Sequence, residues 1–271
     1  MIVGCIMTLN NEIYVENALK SLSSVSDRIV VVDGGSTDST IDVCRDYTDE
    51  IIINKWPGNH SEQRNVYLDY VKRNYPNSWC FSLDSDETID LSKAKVIIEL
   101  SKSETIKYYW FKRKWVVNLN PTTYISSHPH FPDWQLRLFR VNSKTEYHGL
   151  IHEGVSERSL FNKIVRISYV KPASRKLIEF ANEKLNRGYF CNNIVAKLDP
   201  DSVTRKIEDF DIWHLDLILN SYNKRRDKAK KYEKIEAGSG GWEYYLPEDL
   251  KACISYTQEP KAKLIINKGT L

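Results

Sequence analysis

The first hundred residues alternate between short apolar runs and runs with helical spacing, and each of three apolar runs ends on a polar or acidic cluster. Residues 2–7, 28–32, 50–53 and 79–83 read as strands. They are short and mostly apolar, and 28–32 is a β-branched run, as buried strands often are. Between them, residues 11–25 carry Ile13, Val15, Ala18, Leu19 and Leu22 near helical spacing. Gly34-Gly35 marks a turn, and Ser36-Thr37-Asp38 offers caps for a helix running to about Arg45. Residues 61–71 read as a third helix. A β-α-β-α-β-α-β order predicts a mostly parallel central sheet flanked by helices, because parallel neighbours need crossover connections. In such sheets ligands sit beyond the carboxyl ends of the strands. Thr8-Leu9-Asn10, Asp33-Gly34-Gly35-Ser36 and Asp84-Ser85-Asp86 therefore point at one mouth.

The chain changes character after residue 105. Residues 106–170 are rich in Trp, Tyr and Phe, with loop signals at Asn120-Pro121 and His128-Pro129-His130-Phe131-Pro132. Strands are expected over 108–117 and 136–141. Beyond about Pro172 the pattern turns helical, with helices expected over 176–193 and 212–232 before the break at Gly238-Ser239-Gly240-Gly241. The organisation expected is thus one α/β domain over 1–171, with halves 1–105 and 106–171, and a mainly helical extension over 172–271. A net charge of +3 argues against a dedicated nucleic-acid binder. Cys5, Cys44, Cys80, Cys191 and Cys253 are scattered and form no C-x-x-C, so reduced thiols are expected rather than a disulfide framework or zinc site. The first residues lack a basic leader, and no apolar run approaches the ~18 residues of a membrane span. A cytoplasmic chain is expected.

Asp84-Ser85-Asp86 is the sharpest chemical feature. Two carboxylates one residue apart at the end of a strand can approach one hard cation, such as Mg²⁺ or Mn²⁺, which would neutralise a diphosphate leaving group. Acidic turns are also common at strand ends. In the second cluster, the glycines let backbone approach a ligand and the following helix start favours anions, and Asp33 offers an acceptor to a base or ribose. A plain tight turn explains the same residues. Arg64, in Gln63-Arg64-Asn65, either pairs with phosphate or lies on a solvated helix face. Asp133 precedes a strand, and a carboxylate there can take a proton from an acceptor hydroxyl. Arg137 and Arg140 face opposite sides of that strand, so at most one enters a site. His148, His152, Glu153 and His214 are further candidates for ligand or acid-base roles, or for structural hydrogen bonds.

Together these strings resemble the family 2 glycosyltransferases of the GT-A fold. The matching strings are Thr8-Leu9-Asn10-Asn11-Glu12, Val31-Val32-Asp33-Gly34-Gly35-Ser36-Thr37-Asp38 and Asp84-Ser85-Asp86-Glu87. Trp56-Pro57-Gly58, Gln63-Arg64-Asn65, the run from Asp133 to Arg140 and His152-Glu153 resemble the branch containing lipopolysaccharide-core glucosyltransferases. The match covers roughly residues 1–160. The resemblance implies a nucleotide-diphosphate-sugar donor, a UDP-sugar first among them, a divalent metal (Mn²⁺ or Mg²⁺), and inversion by direct displacement. It implies nucleotide contacts from Thr8, Asn10, Glu12, Asp33 and Ser85, with Arg64 near the diphosphate. Asp84 and Asp86 match ribose-contacting and metal-binding positions, Asp86 being the more direct ligand, with His214 a further metal candidate and Asp133 the base. The paired acidic string and Q-x-x-R-W of processive members are absent, so a processive polysaccharide synthase is not expected.

Residues 223–234, NKRRDKAKKYEK, hold seven basic and two acidic residues. They read either as a solvated helix or as a patch for an anionic membrane or lipid-diphosphate acceptor, with peripheral contact at the inner membrane face. The expected partners are the donor and a glycan or lipid-linked acceptor, and no nucleic acid. A nucleotidyltransferase would carry a glycine-rich basic loop after the first strand, and none is present. A non-catalytic sugar-binding relative is the remaining alternative, which the intact pair Asp84 and Asp86 opposes.

Overall fold

Strand β1 (Ile2–Thr8) is the axis of the sheet, parallel to β2 (Arg28–Asp33) on one side and β4 (Trp79–Asp84) on the other, with β3 (Ile51–Ile53) beyond β2. The computed structural model describes residues 1–119, 122–126, 130–149, 153–157, 203–235 and 256–259. The period of two along each strand divides the core into two layers. Ile6, Val31, Phe81 and Leu83 pack with Leu19 and Leu22 of helix α1 (Val15–Ser23). Val3, Cys5, Val30 and Val32 pack with Tyr67, Leu68 and Val71 of α3 (His60–Asn74). A short α2 (Thr40–Arg45) adds Cys44 to the first layer. Cys5, Cys44 and Cys80 are buried free thiols, as expected.

The second half extends this sheet with reversed polarity. β8 (Asp133–Arg140) runs antiparallel to β4, and β6 (Tyr108–Leu119) antiparallel to β8. β5 (Glu87–Ile89) follows the turn after β4, and α4 (Ala94–Leu100) leads on toward β6. β7 (Thr122–Ile125) pairs with the far end of β6. A two-stranded ribbon, β9 (Thr145–His148) with β10 (Gly154–Glu157), docks on α3, where Tyr67 donates to the Tyr147 hydroxyl at 2.8 Å. The result is the expected α/β architecture: a mixed sheet with a parallel core, flanked by helices.

The chain beyond residue 202 departs from expectation. β11 (Thr204–His214) joins the main sheet, parallel to β6 and antiparallel to β5. The helix expected over 212–232 is therefore divided into the end of β11, a single turn α5 (Asp216–Leu219) and α6 (Tyr222–Ile235). Phe210 and Ile212 alternate into the core with a strand's period, while the apolar run from Leu215 onward imitates a helix face. β12 (Tyr256–Glu259) pairs with β7, so the described part of 172–271 holds strands as well as helices. The helix expected over 176–193 and the break at 238–241 lie outside the described residues. α1 starts at Val15 rather than Asn11, and α2 starts at Thr40, after the residues expected to cap it.

The contact between α1 and β1 is close enough to require Gly4. A Cβ there would lie 2.7 Å from Ser26 Oγ and 3.1 Å from Leu22 Cβ. Gly4→Ala should destabilise the fold by about 1–3 kcal/mol through overpacking, seen as a lower urea midpoint at unchanged slope.

Candidate active site

The three polar clusters at the strand ends bond to one another. Asn10 takes a left-handed conformation (φ 54), which asparagine tolerates, and its Oδ1 accepts the Thr37 N–H at 2.8 Å. Its own N–H donates to Ser36 Oγ at 2.8 Å. Asp33 is fully buried and accepts from the Gly35 N–H (2.8 Å), the Ser36 N–H (2.7 Å) and Ser36 Oγ (2.5 Å). That turn needs the positive φ of Gly35 (95). Asn11 Nδ2 then donates to Ser85 Oγ at 2.6 Å, tying the loop after β1 to the loop after β4. Glu12 braces the same region by accepting the Ser39 N–H at 2.9 Å.

Below these loops lies a buried charge cluster. Arg64 Nη2 donates to Asp84 Oδ1 and Arg64 Nε to Glu153 Oε1, both at 2.5 Å. Arg137 Nη2 reaches Asp84 Oδ2 (2.8 Å) and Glu87 Oε1 (2.6 Å). Arg113 lies 3.3 Å from Glu87 and donates through Nε to Asp133 Oδ2 at 2.8 Å. Burial pushes the Asp84 and Glu153 carboxyls up, but the arginines outweigh it and hold both below their ordinary values, Asp84 well below. For Asp133, burial is likewise outweighed by Arg113 and by donors from Trp115 and Gln135.

Asp86 has a different neighbour. Its Oδ2 lies 3.4 Å from His214 Nε2, because β11 pairs with β5 in the register His214 opposite Glu87. Burial raises its carboxyl, but the charge and hydrogen bond of His214 pull it down to about 2. The Trp115 ring stands edge-on to His214 with centroids 4.3 Å apart, and its indole donates to Asp133 at 3.1 Å.

A cleft of about 810 Å³ opens over this arrangement. Thr8, Asn10, Arg64, Asp84, Ser85, Asp86, Glu153 and His214 all line it. Glu12, Asp33 and Asp133 are not on its surface. Glu12 and Asp33 hold the loops, and Asp133 sits behind Arg113, Trp115 and Gln135. Asp84 is held by two guanidinium groups, and among the described residues it forms no three-residue metal group with Asp86 and His214. Arg137 faces the cleft while Arg140 lies over the Trp79 ring at 4.9 Å, the alternation expected of a strand. His152 lies outside the described residues. Sequence reading missed Glu87, Arg113 and Trp115. The spacing of two between Arg113 and Trp115 would have placed them on one strand face.

The family 2 model described as "Glycosyl transferase family 2" matches residues 5–165, and the chain belongs to that family. Glycosyltransferase SunS of Bacillus subtilis (strain 168), a prophage-derived protein, is 23% identical over 203 residues, 73% of this chain and 45% of the relative. The chain thus spans about half the length of that relative. A lipopolysaccharide core biosynthesis glycosyltransferase, LpsC of Rhizobium meliloti, is 31% identical over 100 residues, covering 35% of each chain. Among solved structures, Staphylococcus aureus TarS 1–349 aligns with a TM-score of 0.41 at 16% identity, covering 90% of this chain and 69% of that one. Among the described residues no helix is long and apolar enough to cross a membrane.

Two outcomes follow from the cluster. Arg137→Met strips a partner from Asp84 and from the fully buried Glu87, and should cost about 3 kcal/mol in urea unfolding at pH 7. Because the Asp86 carboxyl is depressed, its contribution is whole above the ordinary carboxylate value and is lost as pH falls through about 2. Asp84 and Glu153 act with the same sign. Unfolding free energy should fall below about pH 4, and Asp86→Asn should make that fall shallower between pH 4 and pH 2.

Proposed function

We propose that this cleft transfers a sugar from a nucleotide-diphosphate-sugar donor, a UDP-sugar first among them, to a hydroxyl on a glycan or lipid-linked acceptor. The displacement is direct and inverts the anomeric carbon. The observation that carries this reading is the Asp86–His214 pair, 3.4 Å apart, in the cleft at the carboxyl ends of the parallel strands. A carboxylate oxygen and an imidazole nitrogen at that separation suit one divalent cation with bonds of about 2.0–2.2 Å. No group of three or more His, Cys, Asp or Glu side chains converges on a metal position among the described residues. That suits a cation such as Mg²⁺ or Mn²⁺, which takes few protein ligands and completes its shell with water and phosphate. The imidazole makes Mn²⁺ the better match. Asp86 and His214 would hold the cation, and when bound it supplies charge neutralisation at the departing diphosphate.

The chain's own residues supply the rest. Thr8, Asn10 and Ser85 present their polar groups to the nucleoside, while Glu12 and Asp33 act through the loops they brace. Arg64 and Arg137 fix Asp84 on the cleft floor, where its position suits a ribose contact. Asp133 is the proposed base. It is held ionised, and a carboxylate offers about four lone-pair sites, of which Arg113, Trp115 and Gln135 occupy three. Gln135 lines the cleft in front of Asp133, so an acceptor hydroxyl would reach the carboxylate by taking the place of the Gln135 amide. Lys230 and Lys234, exposed and off the cleft, are the α6 residues available to an anionic membrane surface.

The experiment is a thermal-shift series with UDP, GDP, CDP and dTDP, with and without Mn²⁺. One nucleotide should stabilise the chain, and more so with metal. Asp86→Asn and His214→Ala should each abolish the metal-dependent part; an unchanged Mn²⁺-dependent shift in both removes the metal assignment. Asp133→Asn should lower transfer about 10²–10⁴-fold with donor binding near normal. Transfer within a few-fold of wild type would remove Asp133 as the base.

A further inference from the structure

The basic segment 223–234 has a place in the fold that the donor reading does not use. It forms most of α6, which lies across the cleft: Lys224, Arg225, Asp227, Lys228, Lys231 and Tyr232 line the cavity, and Lys230 and Lys234 do not. Helical spacing makes this selection, since positions 224, 228 and 231 share one face, with Arg225 beside them. At the far end Tyr232 stands edge-on to His60, ring centroids 5.7 Å apart, so the helix reaches across to the start of α3.

Two of these cations are placed in complementary ways. Arg225 is only 6% exposed, its Nε donates to the Asn220 carbonyl at 3.0 Å, and its buried Nη1 has no hydrogen-bond partner among the described residues. Burial lowers its affinity for its proton, and Asp216 and Tyr222 offset this only in part. A buried guanidinium with an unused donor is costly to leave unpaired. Arg225 lines the cleft, where its charge favours an anion. Lys228, one turn further on, is half-exposed, with its ammonium 3.3 Å from Asp216 Oδ1. Asp216 leads the neighbouring charges that favour its protonated form. Lys228 lines the same cleft as Asp86 and His214, so an anion arriving there meets a cation from α6 as well.

We propose that α6 is a phosphate-binding roof, in which Arg225 and Lys228 grip a diphosphate beside Asp86 and His214. The proposal deepens the donor reading and rests on it for the source of the diphosphate. The same chemistry could instead arrive on a phosphorylated acceptor.

The test is calorimetric titration of the full chain with inorganic diphosphate, UDP and uridine, each with Mn²⁺. The variants are R225M, K228M and K230M, the last making the same charge change on the same helix off the cleft. R225M and K228M should each weaken diphosphate and UDP binding at least about tenfold, the scale of one charge-assisted hydrogen bond. Uridine binding should not change, and K230M should stay within about twofold of wild type. If buried Arg225 proves necessary for folding, the half-exposed Lys228 decides. Unchanged diphosphate and UDP affinity in K228M, an equal loss in K230M, or no diphosphate binding by the wild type overturns the proposal. With UDP bound by the wild type, the first two leave the donor reading standing. Diphosphate binding that depends on Lys228, in a wild type that binds no nucleotide, supports the roof and overturns the donor reading.

Discussion

The clamp of Arg64 and Arg137 on Asp84 ties together side chains from separate parts of the chain. Arg64 comes from α3, Asp84 from the end of β4, Arg137 from β8, and Glu153 from just before β10. Burying these charges is unfavourable unless each is paired, and the pairing here is nearly complete. Such a cluster adds little net stability, but it penalises every arrangement in which one member moves. A single position for the floor of the cleft follows, and with it a fixed end for β4 and for the turn that carries Asp86.

That turn explains how two carboxylates one residue apart come to different roles. Asp84 is the last residue of β4 and meets guanidinium groups from α3 and β8. Asp86 lies beyond the turn, where β5 has begun to pair with β11, and meets an imidazole. Both are held ionised, one by permanent cations and the other by a neighbour that also suits a metal. The D-x-D spacing alone cannot distinguish these environments, since each depends on strands more than fifty residues away.

The parts of the site legible in the sequence were those set by local rules. The ends of β1, β2 and β4 were visible because apolar runs stop at polar clusters, and parallel order then places those ends together. The division of Arg137 from Arg140 followed from the strand period. What could not be read depended on register between distant elements. Nothing near His214 announces that it lies opposite Glu87, and the helix-like run from Leu215 onward disguised the strand that carries it. Asp33 was read as a ligand contact or a plain turn residue, and its oxygens accept from its own turn. The order of strings in the chain gave the family even so, because each string is a strand end and its loop.

The basic segment shows how far composition can mislead without topology. Its charge suggested either solvent or a membrane surface, yet one face of α6 is turned to the cleft. What decides this is β11, which carries the chain back along β6 and delivers α5 and α6 to the carboxyl ends of the parallel strands. Asp86 and His214 thereby share one cleft with Arg225 and Lys228. A cleft with charges of both signs suits a ligand that is anionic at one end and brings, or binds beside, a cation at the other. Neither sign alone would favour it, since an unpaired acid would repel a diphosphate and cations would repel a metal. Both are present because a strand far along the sequence completes a sheet begun at residue 2.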